Sequence, residues 1–160
     1  MTDQTFAVDI SQEDNLPAFE LGAKWTNPEN QKTYRYVRAA AAKTIGLIYG
    51  IDEDFTVSAT GAVKTEIHPL VGIPYKTSSA PASGFTYKHI WIQTAGNFAR
   101  VEAAAASADN AQAFSTATAG KIDDGDDSGF RIRGLKFTAA AGSATNTTGY
   151  STRELSYDGA

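Results

Sequence analysis

Between Tyr87 and Thr138 the chain reads YKHIWIQTAGNFARVEAAAASADNAQAFSTATAGKIDDGDDSGFRIRGLKFT, short β-branched and aromatic runs cut at intervals by glycine. That punctuation constrains the fold more than any other feature. Short alternating runs fit strands, and the glycines between them fit turns and bulges. In KHIWIQTAG, Ile90, Ile92 and Thr94 fall on one face, with His89, Trp91 and Gln93 on the other. Gly96-Asn97 is expected to turn the chain into FARVEA and so make a hairpin. Glu102 to Ala113 reads equally as a short helical turn or a loop. Its alanine run favours helix, but it has almost no large apolar residue to dock. FSTATAGKIDDGDDSGFRIRGLKFT then reads as strand, turn, strand. Phe130 and Ile132 alternate with Arg131 and Arg133, but Leu135 and Phe137 lie in the opposite phase. Either Gly134 marks a bulge or both faces of this strand are buried.

The upstream half has the same character. Residues 1–21 are polar, acidic and poorly periodic, and read as an extended N-terminal arm ahead of a β-rich domain over 22–160. An arm of about 20 extended residues reaches on the order of 65 Å. A frayed terminus is the alternative. GAKWTNPENQKTYRYVRAAAA reads as a hairpin closed by Asn27-Pro28-Glu29-Asn30, with Tyr34, Tyr36 and Arg38 on one face of its second strand and Arg35 and Val37 on the other. Ala39 to Lys43 has helix propensity, but Thr44, Ile45 and Gly46 follow at once and argue against a sustained helix. Further strand-like runs span 47–51, 55–58, 63–67 and 70–75, punctuated by Gly50, Gly61 and Pro69. Residues 76–85, KTSSAPASGF, carry no apolar periodicity and are expected to form a surface contact loop. The expected fold is mainly β: a single compact β-sandwich or β-barrel-like domain with short strands and at most one short helix.

Composition narrows the function classes. A chain of 160 residues is long enough for one domain with a real core, burying roughly 70% of its unfolded surface. Leucine and methionine are scarce while threonine and aromatics are plentiful, which favours strands. The net charge of −4 argues against a phosphate-backbone binder and, more weakly, against an anionic membrane surface. The absence of cysteine excludes disulfides, thiolate metal sites and cysteine nucleophiles. The first residues, MTDQTFAVDI, lack a basic region followed by an apolar run, so no secretory leader is expected. That also leaves little weight on the glycosylation sequon at Asn146.

Catalytic signatures are missing. His68 and His89 stand outside any two-histidine metal spacing, and no nucleophile elbow or phosphate-cradling glycine loop occurs. Both histidines read as ordinary strand residues. Asp123, Asp124, Asp126 and Asp127 put four carboxylates close together, a set that could share Ca²⁺. Their spacing is not an EF-hand loop, and two glycines among them favour a solvated turn. Asp52-Glu53-Asp54 reads as a turn for the same reason. The aromatics Trp25, Tyr34, Tyr36, Tyr75, Phe85, Tyr87 and Trp91 are a sugar platform, core residues or subunit interface anchors. No enzyme activity, cofactor or metal is expected.

Three stretches together resemble a loose family of tailed-bacteriophage virion proteins. YRYVRAAAAKTIGLIYGIDEDF is similar to the family's aromatic strand, small-residue run and acidic strand. GIPYKTSSAPASGFTYKHIWIQTAGNFARVEAAAA is similar to its tryptophan-x-glutamine … glycine strand pair, here Trp91 to Gly96. AFSTATAGKIDD is similar to its hairpin before the last strand. The resemblance covers roughly residues 34–138 and rests on strands and turns. It implies a β-rich head decoration (capsid cement) protein, made in the host cytoplasm and located on the outer capsid surface of the virion. Its implied partners are the major capsid protein and further copies of itself, a trimer being favoured, with no nucleic acid and no membrane. Trp25, Tyr36, Phe85 and Trp91 are the candidate interface residues, and the arm 1–21 and loop 76–85 the candidate contact segments. The alternatives are a tail or neck component of the same particle, or a carbohydrate-binding module displayed on it.

Overall fold

The computed structural model describes residues 8–58, 69–125, 129–142 and 146–157. Among them every regular element is a strand, so the domain is mainly β and the helical alternative for 102–113 is not realised. The strands are β1 (Glu13–Asp14), β2 (Lys24–Thr26), β3 (Thr33–Ala39), β4 (Tyr49–Ile51), β5 (Thr56–Val57) and β6 (Leu70–Pro74). They continue as β7 (Lys88–Glu102), β8 (Gln112–Ser115), β9 (Ile122–Asp123), β10 (Arg131–Phe137), β11 (Asn146–Ser151) and β12 (Ser156–Tyr157). The run expected at 63–67 lies outside the described residues, as do His68, Asp126 and Asp127.

Five strands close on themselves in the order β3-β5-β4-β6-β7, with β7 pairing back to β3. The β3–β5 pair is parallel and the others are antiparallel. A closed ring leaves no free edge, which suits strands this short. Both faces of β3 are buried because it faces the barrel interior on one side and an outer aromatic layer on the other. Val37 and Ala39 pack with Tyr49, Ile51, Val57, Ile90 and Ile92. Tyr34 and Tyr36 pack with Trp91. The alternation expected for 34–38 and 89–94 therefore holds, but neither face of these strands is solvated.

The expected hairpin at Gly96-Asn97 is absent. β7 runs straight through it as one strand of 15 residues, roughly 50 Å of chain. Its first half pairs with β3 and β6, and its second half pairs with β11. Each half finds a different long-range partner, so neither needs to fold back on the other. Gly96 serves instead as a kink, with φ of 94°. A Cβ there would lie 2.9 Å from the Lys32 Cα. The Gln93 amide fastens the kink, donating to the carbonyls of Ala95 (3.0 Å) and Asn97 (2.9 Å).

From β7 the sheet continues through β11 and β10 to β8 and β9. The β8–β9 hairpin forms where the sequence places it, with Phe114 opposite Asp123 and Ser115 opposite Ile122. Gly134 is a bulge: its φ is 85° and the β10–β8 register shifts around it. The bulge resets the phase, so Ile132, Leu135 and Phe137 all point into the core that Phe98, Val101, Ala113, Ile122 and Leu155 complete. A second glutamine fastens this irregularity. The Gln112 amide donates to the carbonyls of Ile132 (2.7 Å) and Leu135 (2.8 Å).

The first hairpin also forms as expected, with Trp25 opposite Tyr34. Its turn is held by the Asn27 side chain, which accepts from the Glu29 N–H at 2.8 Å. Asp52 to Asp54 turns the chain between β4 and β5, closed by the Phe55 N–H donating to the Asp52 carbonyl.

Candidate interaction surface

The candidate aromatics separate into two environments. Tyr36 and Trp91 are core residues, buried on the outer wall of the barrel, and Trp25 is half-buried beside them, stacked on Tyr34 at 5.8 Å between ring centroids. Phe85 is exposed, in the connection between β6 and β7. The structure thus brings Trp25, Tyr36 and Trp91 together and leaves Phe85 apart on the surface.

Residues 8–21 cover the buried pair. Phe19 meets Tyr36 at 5.2 Å and Trp91 at 5.3 Å, both edge-on, while Tyr36 and Trp91 lie 5.2 Å apart. Edge-on geometry sets the positive rim of one ring against the negative face of the next. The Tyr36 hydroxyl reaches the same segment, donating to Asp14 Oδ2 (2.9 Å) and accepting from the Ala18 N–H (3.0 Å). Burial pushes the Tyr36 phenol up to about 12, the Ala18 bond opposing it and Asp14 reinforcing it. β1 adds a two-residue antiparallel pair, Glu13 opposite Ile90 and Asp14 opposite His89. Residues 8–21 are therefore laid along the barrel. The Trp91 Nε1, however, is buried with no acceptor among the described residues. Such a group costs about 1–3 kcal/mol and offsets part of what the covering rings contribute.

The loop 76–85 meets this same segment. Glu13 Oε2 accepts from the Ser79 hydroxyl at 2.6 Å and the Ser79 N–H at 3.0 Å, and Glu13 Oε1 pairs with Lys76 at 3.2 Å. The Asn15 side chain accepts from the Ala82 N–H at 3.2 Å. Burial alone would raise the Glu13 carboxyl, but the Ser79 and Lys76 bonds outweigh it and hold it below its ordinary value. The two segments read separately as contact elements are thus one composite surface. Sequence reasoning missed Glu13 as the residue joining them. An acidic residue among polar neighbours carries no signal of a partner more than sixty positions away.

A second polar junction ties the C-terminal tail to the barrel. Glu154 forms a two-pronged ion pair with Arg35 (Nε to Oε1 2.7 Å, Nη2 to Oε2 2.8 Å) and also accepts from Thr94 and Lys24. Burial would push its carboxyl up, but Arg35, with Lys24 and Thr94, holds it down to about 2.

The residues weighed for chemistry lie apart. His89 is buried, stacked on Tyr36, with its Nδ1 3.3 Å from the Asp14 carbonyl oxygen. Asp124 accepts from the Ala108 N–H and its own N–H donates to Asp123, so these two carboxylates shape a turn. Among the described residues no group of three or more histidine, aspartate or glutamate side chains is placed to hold a metal ion.

No family model matches the chain, and no curated protein matches it. Among solved structures it is similar to the N base of the head fiber protein gp8.5 of bacteriophage phi29. The identity is 12%, over 77% of this chain and 96% of that one, with a TM-score of 0.46. A score below 0.5 falls short of a shared fold.

Proposed function

We propose that this chain is a structural component of a tailed-phage virion. Its role is that of a head decoration or cement protein, which sits on the outer capsid surface and ties neighbouring major capsid subunits together. The observation that supports this reading most directly is where the family-like stretches fall. Residues 34–55, 72–106 and 113–124 contribute β3, β4, most of β6, all of β7 and the β8–β9 hairpin, the frame of the molecule. Laid on this frame is a composite surface made of residues 8–21 and the loop 76–85, the loop itself falling inside the second stretch, and the two are joined through Glu13 and Asn15.

A rigid β frame that carries polar, extended segments suits a protein that holds other subunits. The arm is held by a two-residue strand pair, the Phe19 ring contacts, packing of the partly buried Val8, Ile10 and Leu21, and a few polar bonds, all of which contacts with a coat subunit would replace. Phe85 offers an exposed ring on the loop that meets the arm, and Tyr36 and Trp91 act from beneath by seating Phe19. Several weak contacts, multiplied by self-association as a trimer over a capsid symmetry axis, give tight attachment overall.

The test is stoichiometry and occupancy on purified heads. Decoration requires many copies per head, and deletion of residues 1–21 should lower occupancy. A handful of copies would instead place the chain in the tail or neck. Undiminished occupancy of the truncated chain would remove the arm from the mechanism.

A further inference from the structure

The face of the sheet beyond the Gly96 kink carries an exposed ring among amides and cations. The strand registers set Asn97 opposite Tyr150, Tyr150 opposite Lys136, and Lys136 opposite Gln112. Directly opposed residues share a face, so these four side chains form one row across β7, β11, β10 and β8. At about 4.8 Å between strands the row is roughly 14 Å long. Its underside is core, because Phe98 and Phe137 point the other way. Tyr150 stands in the middle, 44% exposed.

Three clefts follow the row and share walls. One of about 300 Å³ lies on the Asn97 side of Tyr150 and one of about 390 Å³ on the Lys136 side, with Tyr150 and Thr152 common to both. A third, of about 410 Å³, joins the first through Asn30 and Asn97. The first cleft is lined by amides and hydroxyls with no charged side chain. The Lys136 side carries Arg131, Lys136 and Arg153, a local cationic group on a chain of net charge −4. Arg131 donates to Gln112 at 3.2 Å. Lys136 and Arg153 form no ion pair among the described residues.

We infer that this face is a binding site for a carboxylate-bearing saccharide chain. An exposed tyrosine ring offers a flat apolar face to the C–H side of a sugar ring. Side-chain amides both donate and accept, which matches vicinal hydroxyls. Lysine and arginine beyond the ring suit a carboxylate, arginine with two parallel bonds. Single-stranded nucleic acid is the poorer fit, because it needs a continuous basic track with several stacking rings. Here there is one ring, with uncharged amides on one side of it and the cationic group on the other side only. The site goes beyond the capsid role and does not depend on it, since the isolated full-length protein is enough for the test.

Calorimetric titration of the full chain with an oligogalacturonide, backed by amide chemical-shift mapping, reads the proposal. Saturable binding is expected, with shifts centred on Asn97, Tyr150 and Lys136. Tyr150→Ala should weaken it about tenfold. A Lys136→Ala/Arg153→Ala double variant should bind the oligogalacturonide no more tightly than an uncharged cello-oligosaccharide. All three positions are exposed, so the variants should keep the wild-type unfolding midpoint, which is measured alongside. No binding by the wild type, binding unchanged in Tyr150→Ala, or tighter binding of an oligothymidylate would each overturn the inference.

Discussion

The two halves of β7 present their aromatic surroundings in opposite ways. Before Gly96, Trp91 and its neighbour Tyr36 lie under Phe19 and the segment that carries it. After Gly96, Asn97 leads to Tyr150 and Lys136, a row open to solvent. Residue type does not distinguish them, since in each place an aromatic is flanked by polar groups on a sheet face, Trp91 on β7 and Tyr150 on its neighbour β11. What differs is whether another stretch of chain returns across the face. Where it does, the ring is structural; where it does not, the ring is available to a partner.

The sharpest way to break the comparison is to truncate one ring on each side of the kink, Trp91 in β7 itself and Tyr150 on the paired strand β11. Trp91→Ala should lower the unfolding free energy by roughly 3–5 kcal/mol, the cost of emptying a large buried site. Tyr150→Ala should change it by less than about 0.5 kcal/mol, as at an ordinary surface position. Denaturant unfolding of the two variants measures both, and equal losses would show that the halves are not finished differently.

The kink between the halves should be the next most sensitive point. Gly96→Ala combines a positive φ with a Cβ 2.9 Å from backbone at Lys32, whereas Gly84 has a positive φ of 86° and open space around it. Gly84→Ala should cost about 1 kcal/mol for conformation alone. Gly96→Ala should cost on the order of 2–3 kcal/mol, because the β2–β3 turn must also shift. Matching losses would mean that the close approach to Lys32 is unimportant.

Acid should act through the tail. The folded Glu154 carboxyl, at about 2, lies below its ordinary 4.5. The ion pair therefore contributes fully above about pH 4.5, and the contribution is lost as pH falls towards 2. Allowing for solvent screening of a partly exposed pair, the loss is about 1–2 kcal/mol. Glu154→Gln should flatten that part of the stability–pH curve. An unchanged curve would assign the acid sensitivity elsewhere.

The strands and most turns were legible in the sequence because local chemistry dictates them. Asn27 closes its own turn, Gly134 betrays a bulge by the phase change from Ile132 to Leu135, and 34–38 alternates as written. The hairpin at Gly96-Asn97 failed because glycine marks positive φ without saying whether the chain reverses or merely bends. The partners that decide this, β3 and β11, lie roughly forty-five to sixty positions away. Lys43 was equally opaque. It is fully buried, donating from Nζ to the Ser58 carbonyl at 2.6 Å and lying 4.9 Å from the Tyr49 ring centroid, and burial pulls its pKa down to about 8. A lysine following alanines ordinarily faces water. Of the candidate surface, the arm and the 76–85 loop were visible as aperiodic polar stretches. Their junction was not, because two polar side chains, Glu13 and Asn15, make it.

That junction yields the smallest effect and the most specific one. Glu13→Gln keeps the shape of the side chain but removes the charge that Lys76 and Ser79 meet. A partly exposed pair with added hydrogen bonds is worth about 1 kcal/mol or less, so the unfolding midpoint should move little. The local consequence should be larger than the global one. Release of the arm to a coat subunit requires residues 8–21 to open independently of the frame, and in that case weakening their latch raises their open population without unfolding β7. Hydrogen exchange should quicken at the Ser79 and Ala82 amides, which donate to Glu13 and Asn15, while the amides of the β3–β7 ladder keep their protection. Uniform acceleration across both sets would mean that the covering segment and the barrel open as one unit. Trp91 would then be buried as permanently as any core residue, and the arm could not be released to a coat subunit without unfolding the domain.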